Sequence, residues 1–210
     1  NVHINVIGKE NIPPEGRFIF ASNHPLGALD GVALIRFFGH FYSGKIKFLV
    51  NDLLMHIKPL APVFLPINKY GSQAKESSLQ INNAYESDEQ MLIFPAGLCS
   101  RLQHGKIKDL EWKKTFIAKA VQSQRDIIPI YFEGRNSTFF YRFAQIRKCI
   151  GLKFNIELIY LPDEMFNSKN KTFDIYIGKP IPWQTFDKSK SLQEWAQIVK
   201  EKVYQIKKNQ

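Results

Sequence analysis

The chain has 210 residues, of which 44% are hydrophobic, and a formal net charge of +10. This length is sufficient to bury a core, and the hydrophobic fraction excludes an intrinsically disordered chain. The positive charge favours nucleic acid, an anionic membrane surface or an acidic carrier protein as a partner, although a solvated basic face needs no partner.

Apolar runs along the chain predict strands, and several of these runs are continuous, as in a sheet that is covered on both faces. They lie at residues 17–21, 46–50, 63–67, 91–94, 127–132, 154–161 and 173–177. Helical patterns lie between them, at residues 31–39, 73–87, 112–123 and 191–207. This alternation predicts an α/β fold with a mostly parallel central sheet of about seven strands flanked by helices. We predict loops at residues 11–16, 101–109 and 162–172.

Two segments each permit two interpretations. Residues 53–64 are apolar but contain two prolines, so they cannot form one long helix. One interpretation is that they line an acyl-chain groove or rest on a bilayer. The other is that they form a core helix followed by a strand. The amphipathic pattern of residues 192–206 predicts a helix that packs on the domain, with a basic helix on a membrane surface as the alternative.

The two cysteines bear on the redox compartment of the protein and on metal binding. Cys99 and Cys149 are too few for a disulfide framework and lack metal-ligand spacing, so we expect a reducing compartment and no metal. No apolar stretch reaches the roughly 18 residues of a spanning helix.

We expect a single domain over residues 1–210. The chain opens at Asn1 rather than at a methionine, and we expect that a native N-terminal segment is missing.

Residues 22–31 are the most informative stretch, because they place a histidine and an aspartate in one short turn between a predicted strand and a predicted helix. His24 at the strand end and Asp30 at the helix start form a candidate general-base pair, in which the carboxylate fixes the tautomer of the imidazole. Gly27 allows the turn to bring the two side chains together. The alternatives are that Asp30 caps the helix and that His24 is an ordinary core or turn histidine.

Four motif blocks resemble the glycerolipid acyltransferase superfamily, the family of the 1-acylglycerol-3-phosphate acyltransferases. The first is Asn23-His24-Pro25 with Asp30-Gly31. The others follow in the expected order, at residues 64–68, 93–101 and 127–131. The resemblance covers about residues 17–135. It implies the glycerol-3-phosphate acyltransferase-like fold and acyl transfer from a thioester to a hydroxyl.

This sequence departs from the usual blocks at three positions. Five residues rather than four separate His24 from Asp30, Ala96 replaces the usual third-block Glu, and Asn68 replaces the usual second-block Arg. Together with residues 132–137, the first and third of these changes resemble a bacterial hemolysin-like branch that includes lyso-aminolipid O-acyltransferases, which act on ornithine or glycine lipids.

The resemblance implies a role for each candidate site residue. His24 acts as the general base and Asp30 orients it, while backbone N–H groups near Gly97 are candidates to stabilise the oxyanion. The candidate substrate-binding residues are Asn23, Gly97, Arg101, Arg135, Asn68 and Lys69. A phosphate or carboxylate clamp suits the planar guanidinium of Arg101 and of Arg135, although both are also ordinary surface residues.

The expected function is therefore a membrane-associated lipid-biosynthetic O-acyltransferase. Its donor is an acyl carrier protein or coenzyme A thioester, which is a co-substrate rather than a cofactor, and its acceptor is a lyso-lipid. We expect it in the cytoplasm, peripheral on the inner face of the cell membrane. The alternatives are a basic nucleic-acid-binding module, a hydrolytic relative and a catalytically degenerate relative. The absence of nucleic-acid-binding motifs and the spread of lysines along the chain count against the first of these.

Overall fold

The computed structural model describes residues 2–50, 54–55, 57–67, 73–152 and 154–209. The strands are β1 His3–Ile7, β2 Phe18–Ser22, β3 Ile46–Val50, β4 Phe64–Pro66, β5 Gln90–Ile93, β6 Arg101–Gln103, β7 Lys106–Lys108, β8 Asp126–Phe132 and β9 Thr172–Ile177. The α-helices are α1 Leu29–Phe41, α2 Gln73–Glu86, α3 Thr115–Ser123, α4 Thr138–Cys149, α5 Leu161–Phe166 and α6 Leu192–Gln205. Short 3-10 helices cover Lys9–Asn11, Lys58–Val63, Ile156–Tyr160, Trp183–Thr185 and Ile206–Asn209.

The central sheet contains seven strands within the described residues, in the order β1-β9-β8-β2-β5-β3-β4. Neighbouring strands are parallel except for β8 and β9, which are antiparallel. The predicted fold class is therefore confirmed. Because β2 and β5 are parallel neighbours, the residues that follow them leave the sheet at the same edge.

The core lies on both faces of this sheet. Consecutive residues of β2 alternate between the two layers, with Phe18 and Phe20 in one cluster and Ile19 and Ala21 in the other. This two-sided burial explains why the strand has a continuous apolar sequence. The C-terminal helix α6 buries Ala196, Val199 and Val203 in the second layer, which confirms its prediction as a helix packed on the domain.

Several local predictions were wrong. Residues 154–161 do not form a strand, since Ile156–Tyr160 is a 3-10 helix that leads into α5. The predicted loop at 101–109 contains the antiparallel hairpin β6–β7. A short apolar run does not distinguish helix from strand, and Glu157 within this run is buried beside two arginines rather than placed in a sheet.

The sequence predictions also missed strand β1 and helix α4. Strand β1 has no continuous apolar run in its sequence. Its hydrogen bonds come from parallel pairing with β9, which lies more than 160 residues away in the chain. Helix α4 carries aromatic residues on more than one face, so its pattern lacks a single apolar stripe. Within the described residues, every helix falls short of the length and apolarity that crossing a bilayer requires.

Candidate active site

His24 and Asp30 lie together at the carboxyl edge of the sheet. His24 Nδ1 is 2.9 Å from Asp30 Oδ2. Helix α1 begins at Leu29 with Ala28 as its N-cap, so Asp30 lies in the first turn and is not the capping residue. The sequence thus brings the predicted pair together through a short turn.

The carboxylate of Asp30 is fully buried and is satisfied by the turn itself. Its oxygens accept the backbone N–H groups of Leu26 at 2.9 Å, Gly27 at 3.3 Å and Gly31 at 2.9 Å. Both oxygens of Asp30 thus act as acceptors, and the hydrogen in the contact with His24 is assigned to Nδ1 of the imidazole. In this tautomer Nε2 carries the free lone pair.

The imidazole of His24 stacks on the ring of Phe94, the first residue after β5. The ring centroids are 3.8 Å apart and the planes differ by 16°. Phe94 in turn meets Phe48 edge-on at 5.2 Å. The histidine ring is thus fixed by Asp30 at its edge and by Phe94 on its face. Phe94 lies within the third block, at residues 93–101, and the motif alone does not predict its contact with His24.

A second buried carboxylate, that of Asp109, holds the main chain of His24. Asp109 Oδ1 accepts the His24 backbone N–H at 3.1 Å and the Ser100 hydroxyl at 2.6 Å, while Oδ2 accepts the Trp112 indole N–H at 2.9 Å. Ser100 completes the link, because its backbone N–H donates to the His24 carbonyl at 2.7 Å. The third block and the segment before α3 therefore position the turn that carries His24.

Burial raises the pKa of Asp109, and the three hydrogen bonds partly oppose that shift. Its backbone N–H donates to the Tyr204 hydroxyl of α6 at 2.8 Å, and its carbonyl accepts Lys200 Nζ at 2.9 Å. The C-terminal helix is thereby linked, through Asp109, to the turn that carries His24. Asp109 was missed because its role depends on contacts with residues about 85 and 95 positions away.

Asn23 is buried, and its side chain is engaged with the neighbouring strand. Its Nδ2 donates to the Phe132 carbonyl at 2.9 Å, and its Oδ1 accepts the Phe132 N–H at 2.6 Å. The structure therefore places Asn23 as an anchor that joins the His24 turn to the end of β8. Substrate contact by Asn23 stays a prediction.

Gly97 lies in the turn after β5 with φ of +69°. A Cβ at this position would lie 2.7 Å from Lys113 Nζ, so only glycine allows the ammonium to approach the turn so closely. The Gly97 N–H donates to the Phe94 carbonyl at 2.9 Å, so an oxyanion donor from this segment must be a neighbouring N–H. Lys113, whose ammonium group lies close to this turn, was not among the predicted site residues.

Arg101 lies beside the same turn, but its guanidinium is held by protein groups. Nη2 is 2.9 Å from Glu157 Oε1, and Nη1 donates to the Cys99 carbonyl at 3.1 Å. Glu157 is fully buried, and its other oxygen lies 2.8 Å from Arg147 Nε. Burial raises the pKa of the Cys99 thiol to about 11, which suits a packing role. Substrate binding by Arg101 stays a prediction.

The remaining predicted residues lie around this turn or outside the described part of the chain. Arg135 is exposed, and its Nη2 lies 3.4 Å from Thr138 Oγ1. Its loop borders the site, because Asn136 Nδ2 donates to the Leu26 carbonyl at 3.4 Å. Asn68 and Lys69 lie outside the described residues.

Ala96 is buried among apolar side chains of the second core layer, where the carboxylate of the usual third-block Glu would be costly to bury. Among the described residues, no three His, Cys, Asp or Glu side chains cluster to hold a metal ion.

A family profile described as acyltransferase matches residues 1–210. The chain belongs to this acyltransferase family. A lyso-glycine lipid O-acyltransferase from Bacteroides thetaiotaomicron is 56% identical over 203 residues, which span 97% of this chain and 75% of that protein. A protein of the same name from Phocaeicola vulgatus is 53% identical over 97% of this chain and 73% of its own length. The family resemblance predicted from the four blocks is confirmed, and this acyltransferase is an enzyme.

The fold of the acyltransferase has a solved counterpart. The 1-acyl-sn-glycerophosphate (LPA) acyltransferase PlsC from Thermotoga maritima superposes with a TM-score of 0.59 over 98% of this chain and 72% of that one. At 19% sequence identity, this likeness supports the fold rather than the substrate.

Proposed function

We propose that this acyltransferase moves a fatty acyl group from a thioester to the hydroxyl of a lyso-lipid, with lyso-glycine lipid as the acceptor. The observation that carries this proposal is the His24–Asp30 pair at 2.9 Å, whose geometry leaves Nε2 of the imidazole as a base. The name shared by two relatives at 53–56% identity supports the acceptor.

The proposed step needs no enzyme nucleophile. Nε2 of His24 takes the proton of the acceptor hydroxyl as its oxygen attacks the carbonyl carbon of the thioester. The tetrahedral oxyanion then collapses, the C–S bond breaks, and the imidazolium returns its proton to the departing thiolate. Asp30 stabilises the imidazolium while it exists. The stacked Phe94 keeps the ring from rotating away from the acceptor.

The acceptor headgroup is consistent with the cations around the turn. A glycine that is acylated on its nitrogen ends in a free carboxylate, so the acceptor is an anion. Lys113 Nζ lies over the Gly97 turn, and Arg135 is exposed on the bordering loop. We propose that Lys113 and Arg135 supply positive charge that attracts this carboxylate.

The donor and the location complete the proposal. Acyl carrier protein and coenzyme A are both anionic, and the net charge of +10 favours either of them as the thioester carrier. The same charge favours the anionic inner face of the cell membrane, where we place the enzyme as a peripheral protein.

A transfer assay with matched acceptors tests the reaction and the headgroup together. Radiolabelled long-chain acyl carrier protein and acyl-coenzyme A are offered separately, with lyso-glycine lipid or lysophosphatidic acid dispersed in non-ionic detergent. We expect labelled product from lyso-glycine lipid and none with His24→Ala. Product from lysophosphatidic acid alone would overturn the headgroup assignment. Thioester hydrolysis without acyl transfer would overturn the reaction.

A further inference from the structure

Helix α4 carries bulky apolar side chains on two opposite faces. One face, formed by Phe140, Tyr141 and Ala144, is buried in the protein. The other carries Phe139, Phe143, Ile146 and Ile150, whose spacing of four, three and four residues places them in one stripe along the helix. The first face accounts for the fold of the helix, while the second needs another explanation.

The outer stripe continues onto the segment that follows α4. The Tyr160 ring packs edge-on against Phe139 at 5.2 Å and against Phe143 at 5.5 Å. The segment from α4 to the end of α5 carries further exposed apolar side chains. Six of its large hydrophobic residues are between 54% and 82% exposed, and they are Phe139, Ile146, Ile150, Phe154, Ile159 and Phe166. We call these residues the α4–α5 surface. Such a concentration of exposed apolar groups is typical of an interaction site.

The charges on and around the α4–α5 surface are mainly positive. Arg142 lines a groove of about 330 Å³ together with Phe139, Phe143 and Ile146. Further exposed cations in this part of the chain are Arg135, Lys148, Lys169 and Lys171. The acids of this segment are fewer. They are Glu157, which is buried between Arg101 and Arg147, Glu164, which accepts hydrogen bonds from Ser137, and the exposed Asp163.

The α4–α5 segment packs directly on the catalytic turn. A Cβ at Gly27, between His24 and Asp30, would lie 2.8 Å from a methyl group of Leu161. Leu158 and Leu161 also join Cys99 in one apolar cluster with Phe140. A structure bound to the α4–α5 surface would therefore lie beside the site where the hydroxyl is acylated.

We propose that the α4–α5 surface docks this enzyme on an anionic lipid bilayer. Large apolar side chains interspersed with exposed arginine and lysine match an interface that offers acyl chains below and negative headgroups above. The inference rests on the proposed function for its purpose, since a lyso-lipid acceptor resides in the bilayer. Its physical basis, the apolar stripe and its charge, is independent of that function.

The charge pattern favours a bilayer over a second copy of the chain. Two copies that met through this surface would bring their exposed cations together, and such like-charge contact opposes association. An acidic protein would match the charge but not the breadth of the apolar area, which extends over the 28 positions from Phe139 to Phe166. A lipid surface accommodates both features.

Cys149 provides a reporter at the edge of the surface. It follows Arg142 by seven residues on the same side of α4, and it is exposed, whereas Cys99 is buried. An environment-sensitive fluorophore on Cys149 is titrated with vesicles of phosphatidylcholine, without or with 30% phosphatidylglycerol. We expect a blue shift with the anionic vesicles and a much smaller one with the neutral vesicles. A fluorophore at Leu79→Cys in a Cys149→Ser background should not shift, because Leu79 lies on α2, away from this surface.

Substitutions at exposed positions test the α4–α5 surface without removing core contacts. In vesicle flotation, Ile146→Glu and Phe154→Glu should each weaken binding by about tenfold or more, and Arg142→Gln with Lys148→Gln by more than about tenfold. Leu79→Glu is the matched control, since Leu79 is also exposed, at 60%. All variants should keep wild-type acyl transfer to detergent-dispersed acceptor.

Each other outcome has a defined meaning. Wild-type protein that ignores both vesicle types, or Ile146→Glu protein that floats like wild type, would overturn the docking proposal. A fluorophore shift caused by soluble acyl carrier protein but not by vesicles would assign the surface to an acidic protein instead. A wild-type dimer that Ile146→Glu converts to a monomer, with vesicle binding unchanged, would make it an interface between copies. Loss of transfer in detergent by wild-type protein concerns the proposed function and not this surface.

Discussion

Arg101 Nη2 lies 2.9 Å from Glu157 Oε1, although the two residues are 56 positions apart in the chain. Glu157 is fully buried, and Arg147 Nε lies 2.8 Å from its second oxygen. The arginine that the motif comparison offered as a substrate clamp thus joins the third block to the segment after α4. Its charge is compensated inside the protein.

Removing the carboxylate at the centre of this cluster should destabilise the fold. Glu157→Gln leaves two arginines without a buried counter-charge, and we expect the free energy of unfolding to fall by about 3 kcal/mol or more. Urea denaturation followed by circular dichroism measures this change. Glu201→Gln, at an exposed position on α6, is the control and should lie within about 0.5 kcal/mol of wild type. Equal stability of the two variants would contradict the structural role of Glu157.

His24→Ala should remove the general base while the protein stays folded. We expect kcat to fall by about 100-fold to 10,000-fold. His40→Ala, at an exposed position near the end of α1, should leave kcat unchanged. Steady-state transfer assays and thermal unfolding of both variants measure the effect. A folded His24→Ala protein with wild-type kcat would refute the base assignment.

Asp30→Asn should affect both catalysis and stability. The amide no longer stabilises the imidazolium, and we expect kcat to fall by at least about 100-fold. If its oxygen faces His24, Leu26 and Gly27, its NH₂ group faces the Gly31 N–H, and this pairing of two donors costs about 1–3 kcal/mol. Kinetics and urea denaturation are measured on the same preparation. A loss of stability with unchanged kcat would reduce Asp30 to a turn-forming residue.

Phe94→Leu should separate ring positioning from core packing. Leucine fills much of the volume but provides no flat face for His24, so we expect kcat to fall by about tenfold with little change in KM. Phe64→Leu is the matched control, because Phe64 is a buried phenylalanine on β4 in the core cluster against which the partly buried Phe94 packs. It should lower the melting temperature while kcat stays near wild type. If both variants lose kcat equally, the stacking has no special role.

The two cysteines should differ strongly in their reactivity. The pKa of Cys99, raised to about 11, keeps its thiol protonated, so only about one part in 10³ is thiolate at pH 8. The reactive fraction rises as the pH approaches that value. With iodoacetamide at pH 8, mass spectrometry should find Cys149 modified and Cys99 unmodified until the protein is unfolded in urea. Rapid modification of Cys99 in the folded protein would show that the thiol is accessible.

The His24–Asp30 turn was predictable because its determinants are local. Asp30 follows His24 by six positions, and the turn between them carries amides that bind the carboxylate. The strand before it is a continuous apolar run, as two-sided burial requires. The residues that support the turn were not predictable in the same way. Phe94 and Asp109 reach it from other strands and loops, and only the parallel arrangement of β2 and β5 brings Phe94 to His24.

The alternation of strands and helices, the order of the motifs and the candidate base could be predicted from the amino-acid sequence, because each depends on neighbours within a few residues. Three other features follow from the packing of the whole chain. Residues 154–161 leave the sheet, Arg101 pairs with Glu157, and α4 presents a second apolar face outward. These features depend on contacts between residues that are distant in the sequence. A buried charge needs a partner of opposite sign, and an apolar side chain is buried only where another element packs against it. Both conditions are met only once the whole chain has packed.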